Sequence, residues 1–139
     1  MFLLDTNVIS ELRRPERANA NLVQWARSIP VEQFFISAIS LLEIERGALR
    51  KARKDAAQGA VLRSWIDGQI LPRFEGRILP VDAAVALRCA PLHVPDPRPE
   101  RDALIAATAL VHGLTLVTRN LEDFAATGAR LLNPWEGDG

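Results

Sequence analysis

The chain has 139 residues, a length that suits one domain around a single core. Hydrophobic residues make up 48% and charged residues 24%, an ordinary globular composition, and no stretch nears the roughly 18 consecutive apolar residues needed to span a bilayer, so we expect no membrane partner. Seventeen Lys and Arg balance 17 Asp and Glu; zero net charge excludes a protein that coats nucleic acid through bulk positive charge, but not one that holds phosphate with a local basic patch.

The opening residues Met1-Phe2-Leu3-Leu4-Asp5-Thr6-Asn7 lack the basic lead-in and small-residue cleavage site of a signal peptide. They read instead as a strand buried on both faces, running straight into a carboxylate. Asp5 stands where that strand should end. In open α/β sheets ligands collect at the carboxyl ends of strands, which makes it a candidate site residue. The plainer reading is that Asp5 or Thr6 caps the helix beginning near Val8.

Val8 to Arg14 reads as a short helix stopped by Pro15, and Asn19 to Ser28 as a second, with Asn19 its possible cap. Gln33 to Ser37 is strand two. Ile39 to Ala52 is a strong helix capped by Ser37 or Ser40. It turns basic from Arg46 onward, through Arg50, Lys51, Arg53 and Lys54; such a run is ordinarily a solvated face, or else a phosphate-holding patch. A further helix runs from Ala56 to Ile70, and Gly76 to Val81 is the third strand. Asp82 caps a helix over Ala83 to Ala90, where Cys89 reads as a buried helix residue. Cys89 is the one cysteine, which rules out an internal disulfide and fits a reducing cytoplasm.

Pro91, Pro95, Pro97 and Pro99 mark a stiff loop. The next helix, Pro99 to His112, is apolar almost all round after Asp102, so it should be buried on most faces. Gly113 ends it. Leu114 to Thr118 is the fourth strand, Leu121 to Ala126 a turn, Arg130 to Asn133 the fifth strand, and Pro134-Trp135 the start of an exposed tail. Alternating strands and helices predict an α/β sandwich with a parallel sheet covered on both faces.

Four places put polar groups near strand ends or helix starts: Asp5, Glu43, Asp102, and the stretch from Asn120 to Asp123. Taken singly, Asp102 is a first-turn acid favoured by the helix dipole, and Glu43 is a half-exposed helix acid or a partner for Arg46. Taken together, they lie on elements that a doubly wound sheet brings to one edge. Convergent carboxylates stay ionised only with a cation between them, and an oxygen-only donor set suits Mg2+ or Mn2+ rather than Zn2+. Such sites activate water for phosphoryl displacement. His93 and His112 are not in ligand spacing. No Walker loop, dinucleotide-binding glycine motif or nucleophile elbow is present.

These residues resemble a known family, the PIN-domain ribonuclease toxins of the VapC/FitB type. The resemblance is carried by Leu-Leu-Asp5-Thr6-Asn7-Val-Ile-Ser-Glu, Ile36-Ser37-Ala38 followed by Leu42-Glu43-Ile-Glu-Arg-Gly47, and Gly76-Arg-Ile-Leu-Pro80. Then come Asp102-Ala-Leu-Ile-Ala-Ala-Thr-Ala, Val117-Thr118-Arg119-Asn120 with Phe124, and Asn133-Pro134-Trp135. It spans nearly the whole chain, and it implies a single PIN domain over 1–139, with a five-stranded parallel sheet flanked by helices on both faces.

The resemblance further implies a Mg2+- or Mn2+-dependent endoribonuclease, with the family's acids falling on Asp5, Glu43 and Asp102. Thr6, Asn7 and Thr118 would orient ligands or water. It implies a cytoplasmic homodimer and RNA as substrate. A small VapB/FitA-like antitoxin would assemble with it into a heterotetramer or larger, and operator DNA would be bound only through that antitoxin. One position departs from the pattern. The fourth acid is here Asn120, which can accept a hydrogen bond or hold a water but adds no charge; this bears on a second metal, and Asp123 is the nearest substitute. The neutral Asn120 motivates an alternative function, a catalytically weak module that acts mainly with its antitoxin in a DNA-bound autoregulatory complex. A receiver-like phosphoacceptor fits less well, because no second acid stands beside strand one.

Overall fold

A computed structural model describes residues 1–137 of the chain. Five parallel strands form one sheet in the order β3-β2-β1-β4-β5. They are β1 (Phe2–Leu4), β2 (Phe34–Ser37), β3 (Ile78–Leu79), β4 (Thr115–Val117) and β5 (Leu131–Leu132). The first strand is therefore the centre. Leu3 pairs with Phe35 on one side and with Leu116 on the other. The strand order reverses across β1 and β4, and their carboxyl ends open the crevice in which an α/β sheet places its chemistry.

Alternation sends Leu3 and Leu4 to opposite faces, and each enters a different core. Leu4 joins Val8, Leu22, Ile36, Ile44 and Ile66 beneath helices α1 (Thr6–Leu12), α2 (Ala20–Arg27), α3 (Ala38–Lys54) and α4 (Ala56–Trp65). Leu3 joins Ile105, Ala106, Leu116 and Phe124 beneath the helix Glu100–His112. That helix carries Ala103, Ala106, Ala107 and Ala109, all buried. Small side chains let its axis lie close to the sheet and to the helix Ala83–Cys89, where Val85 and Cys89 meet Ala103 and Ala107. The expectation of a helix buried on most faces is met by these contacts.

Several boundaries shift for local reasons. The helix expected to run from Ala56 to Ile70 continues through a π-turn at Ile66–Ile70 into α5 (Leu71–Arg73). The widened turn lies just before Pro72, whose ring cannot sit over the Gly68 carbonyl in a regular α-helix. The helices α6 (Ala83–Cys89) and α7 (Glu100–His112) are joined by a loop that begins as a 3-10 turn, Ala90–His93, with Pro91 in its first two positions, where a missing amide costs nothing. The segment at Pro134 is not an exposed tail. Pro134–Glu136 forms a 3-10 turn capped by Asn133, Pro134 is buried, and Asn21 on α2 donates to the Trp135 carbonyl at 2.9 Å. A proline and a tryptophan supply enough apolar surface to hold the segment down.

Between α1, α2 and the π-turn lies an apolar cleft of about 770 Å3, lined by Ile9, Leu12, Trp65, Ile70 and Phe74 among others. None of Asp5, Glu43 and Asp102 lines it.

Candidate active site

Asp5 follows β1 directly and is completely buried. Its main-chain N–H extends the sheet by one more bond, to the Val117 carbonyl of β4 at 2.9 Å. The side chain caps α1, accepting from the Thr6 N–H at 2.8 Å on Oδ1. Both sequence readings of Asp5, helix cap and strand-end acid, thus describe the same residue. Its other oxygen, Oδ2, accepts from the Thr118 hydroxyl at 2.8 Å and from the Asn7 amide at 3.4 Å. A buried carboxylate is tolerable only when its lone pairs are met in this way.

Glu43 lies on the second turn of α3, positioned by the Ser37 cap that starts the helix. Its Oε1 accepts from the Thr6 hydroxyl at 2.6 Å, and Thr6 in turn lies 3.0 Å from the hydroxyl of buried Ser40. The partner suggested by spacing, Arg46, makes no ion pair with Glu43 among the described residues. Asp102 sits in the first turn of α7, 8% exposed, where the helix dipole favours a negative charge.

The three acids meet at one guanidinium. Arg101 donates from Nε to Glu43 Oε2 at 2.7 Å, from Nη2 to Asp5 Oδ1 at 2.6 Å and from Nη1 to Asp102 Oδ1 at 2.9 Å. Burial works against its charge, but the hydrogen bond to Glu43 and the field of Asp5, followed by the bond to Asp102, outweigh it and hold the group protonated well above its ordinary value. The convergence of Asp5, Glu43 and Asp102 expected from the fold is therefore met. Nothing local in the sequence distinguishes Arg101, the residue that bridges them, except that it is a basic residue immediately before the acid that opens the most buried helix. Ser40, a possible helix cap by sequence, instead meets the Thr6 hydroxyl, and Ser37 is the cap.

Thr118 follows β4 directly and is completely buried. Beyond its bond to Asp5, its oxygen accepts the main-chain N–H of Asn120 at 3.0 Å and lies 3.5 Å from the Asn7 amide nitrogen. Asn120 therefore joins the network through its backbone. Its side chain is exposed, and it makes no hydrogen bond with any of the three acids among the described residues. Asp123 is exposed on the 3-10 turn Leu121–Phe124. Arg119 turns away, its guanidinium 5.6 Å above the Trp135 ring. The basic residues Arg50 to Lys54 occupy the far end of α3; Lys54 is 11 positions from Glu43, roughly 16 Å along the axis.

The donor chemistry fits a hard divalent cation. All three side chains offer oxygen, and a cationic group already sits between them. Three carboxylates against one guanidinium leave the cluster net negative, which favours a cation there. A second group, Cys89, His93 and Glu100, brings one thiol, one imidazole and one carboxylate within 4.8 Å of one another. There the His93 Nδ1 accepts the Arg98 main-chain N–H at 3.2 Å, which leaves the proton of the neutral ring on Nε2, facing Cys89 and Glu100. A ligating histidine has the opposite arrangement, donating its second N–H outward. This trio is a hydrogen-bonded clasp across the proline-rich loop.

Residues 2–129 match the family described as PIN domain. The chain is 38% identical over 143 residues to Toxin FitB of Neisseria gonorrhoeae, with 97% of this chain and 99% of the relative covered. It is 34% identical over 141 residues to the VapC ribonuclease Y4jK of Sinorhizobium fredii, covering 98% and 99%. Among solved structures, FitAcB from Neisseria gonorrhoeae superposes with a TM-score of 0.86 at 38% identity, covering 97% of this chain and 99% of that one.

Proposed function

The chain belongs to the PIN-domain family, and from that premise we propose that it is a metal-dependent endoribonuclease, the toxin of a type II toxin–antitoxin pair. The observation that carries the reading is the meeting of Asp5, Glu43 and Asp102 around a single cationic group at the carboxyl end of the central strand. Similarity to proteins named Toxin FitB and VapC ribonuclease supports the same reading.

In this proposal Asp5, Glu43 and Asp102 hold Mg2+ or Mn2+. When bound, such an ion activates water and neutralises charge on the phosphate under attack. Thr118 and Asn7 fix the Asp5 carboxylate by hydrogen bonds, and Thr6 fixes Glu43. These bonds orient the Asp5 and Glu43 carboxylates, so that each keeps its other oxygen toward the centre of the cluster. Asn120, at the family's fourth acidic position, contributes its main-chain N–H to Thr118 and no charge, so we assign the site one ion. The exposed basic residues Arg46 to Lys54 are assigned to the RNA backbone.

We further assign the chain a single PIN domain over 1–139, a cytoplasmic location, a homodimeric state, and a small antitoxin that alone brings operator DNA to the complex. Among the described residues no helix is long and apolar enough to cross a membrane.

The test is cleavage of a mixed cellular RNA pool by the purified chain, with and without Mg2+ or Mn2+, beside Asp5→Asn. The expected result is discrete metal-dependent fragments that vanish in the variant while its circular dichroism is unchanged. A folded, antitoxin-free sample that cuts nothing would favour the second reading, a catalytically weak module acting through its antitoxin, for which the neutral Asn120 is the motivating residue.

A further inference from the structure

Arg101 uses all three of its nitrogens on three different carboxylates. The oxygens it holds, Asp5 Oδ1, Glu43 Oε2 and Asp102 Oδ1, face the centre of the cluster, where a shared cation would have to sit. Arg101 in its present position and an ion shared by all three acids therefore exclude one another. Its side chain is 32% exposed, against 1% for Asp5 and 11% for Asp102, so it lies between the acids and solvent. Its backbone is fixed in the first turn of α7, so a move off the acids would be a side-chain rotation toward solvent.

A phosphodiester brought to the acids also needs a positive partner, since its non-bridging oxygens would otherwise face carboxylates. The exposed run Arg46 to Lys54 extends away from the acids along α3, and three further arginines are held elsewhere. Arg119 lies over Trp135, Arg98 donates to the Leu92 carbonyl at 2.9 Å, and Arg63 is paired with Glu45 and Asp67. Among the described residues, Arg101 is the cation in contact with all three acids. Its planar fork suits a phosphate as well as it suits carboxylates.

We propose that Arg101 has two positions: on the acids it seals the site of the metal-free protein, and on yielding them to a divalent cation it becomes the guanidinium that binds the RNA phosphate beside that cation. The proposal rests on the metal-dependent nuclease reading above. It makes Arg101 a competitor of the metal and a collaborator of the substrate. Removing it should strengthen one interaction and weaken the other, a pair of opposite effects that a merely structural arginine would not produce.

The experiment is Mn2+ binding to the full chain, followed by electron paramagnetic resonance of the free ion, for wild type, Arg101→Gln, Arg101→Lys and Asp5→Asn. It is paired with binding of a short RNA oligonucleotide in saturating Mn2+, measured on wild type and the two Arg101 variants. Arg101→Gln should bind Mn2+ at least about tenfold more tightly, since a competing charge has gone, and should bind the oligonucleotide at least about tenfold more weakly. Arg101→Lys keeps the charge without the fork, so it remains a folded comparator if the glutamine variant is unstable; it should fall between the two on both scales. Unchanged Mn2+ affinity in both Arg101 variants would overturn the seal, and unchanged oligonucleotide affinity would overturn the phosphate role. Undiminished Mn2+ binding by Asp5→Asn would instead sink the acid cluster as the metal site, and with it the nuclease reading, a result separable from either failure of Arg101.

Discussion

The Thr118 hydroxyl donates to Asp5 Oδ2 at 2.8 Å, joining two completely buried side chains that stand 113 positions apart in sequence. The bond ties the end of β4 to the end of β1, and the same oxygen accepts the Asn120 N–H. Thr118→Val keeps the shape and removes the hydroxyl. It leaves a buried carboxylate oxygen short of a donor, and should cost about 1–3 kcal/mol in urea unfolding. Thr118→Ser keeps the hydroxyl and should recover most of that loss.

Asn120 offers a sharper division between main chain and side chain. Its backbone N–H reaches Thr118, while its exposed amide does not bond to the acids. Asn120→Ala should therefore leave RNA cleavage within about threefold of wild type, a change under 1 kcal/mol. Asn120→Pro removes the N–H and should lower cleavage at least about tenfold. Rates of the proposed cleavage, measured on one RNA with added Mn2+, compare the two.

Gly59 sits where α4 crosses the end of α3. A Cβ built there would lie 2.4 Å from Ala52 Cα and 2.5 Å from Ala52 Cβ. Gly59→Ala should force the two helices apart and destabilise the chain by about 1–3 kcal/mol. Ala52→Gly should not rescue it, because the nearest obstructing atom is backbone. Thermal unfolding of the single and double variants decides this.

Cys89 carries a pH signature. Burial, and after it the field of Glu100, pushes its thiol above the ordinary range. The folded chain then holds that proton more tightly than the unfolded chain. The associated stability is fully present below the unfolded thiol's value of about 8.5 and is lost as pH rises through the raised folded value. Unfolding free energy should fall between pH 8 and pH 10, and by less in Cys89→Ala. Urea titrations at the two pH values give the comparison.

Much of this architecture can be read from short runs of residues. Phe2-Leu3-Leu4 is apolar without alternation because both its faces meet a core, and the run from Ala103 to Ala109 is apolar all round because it packs on the sheet and on α6. Asp5, Glu43 and Asp102 stand out because a carboxylate beside such runs demands a reason. What local pattern could not supply was the partner. Arg101 next to Asp102 reads as one more charged residue in a helix's first turn, and only the closing of the sheet carries it to Glu43, 58 positions away. Pro134-Trp135 was misread for the same reason, since its holding bond comes from Asn21, 114 positions upstream. The π-turn before Pro72 is not legible because a proline signals that a helix is disturbed without specifying how.

The centre of the sheet is its first strand, and it is flanked by strands from early and late in the chain. During synthesis β1 and β2 emerge first, and β4 and Thr118 follow about 80 residues after β2. Asp5 cannot be clamped, nor brought to Arg101 and Asp102, until those late segments have left the ribosome and docked. A half-made chain carries the acid but no site.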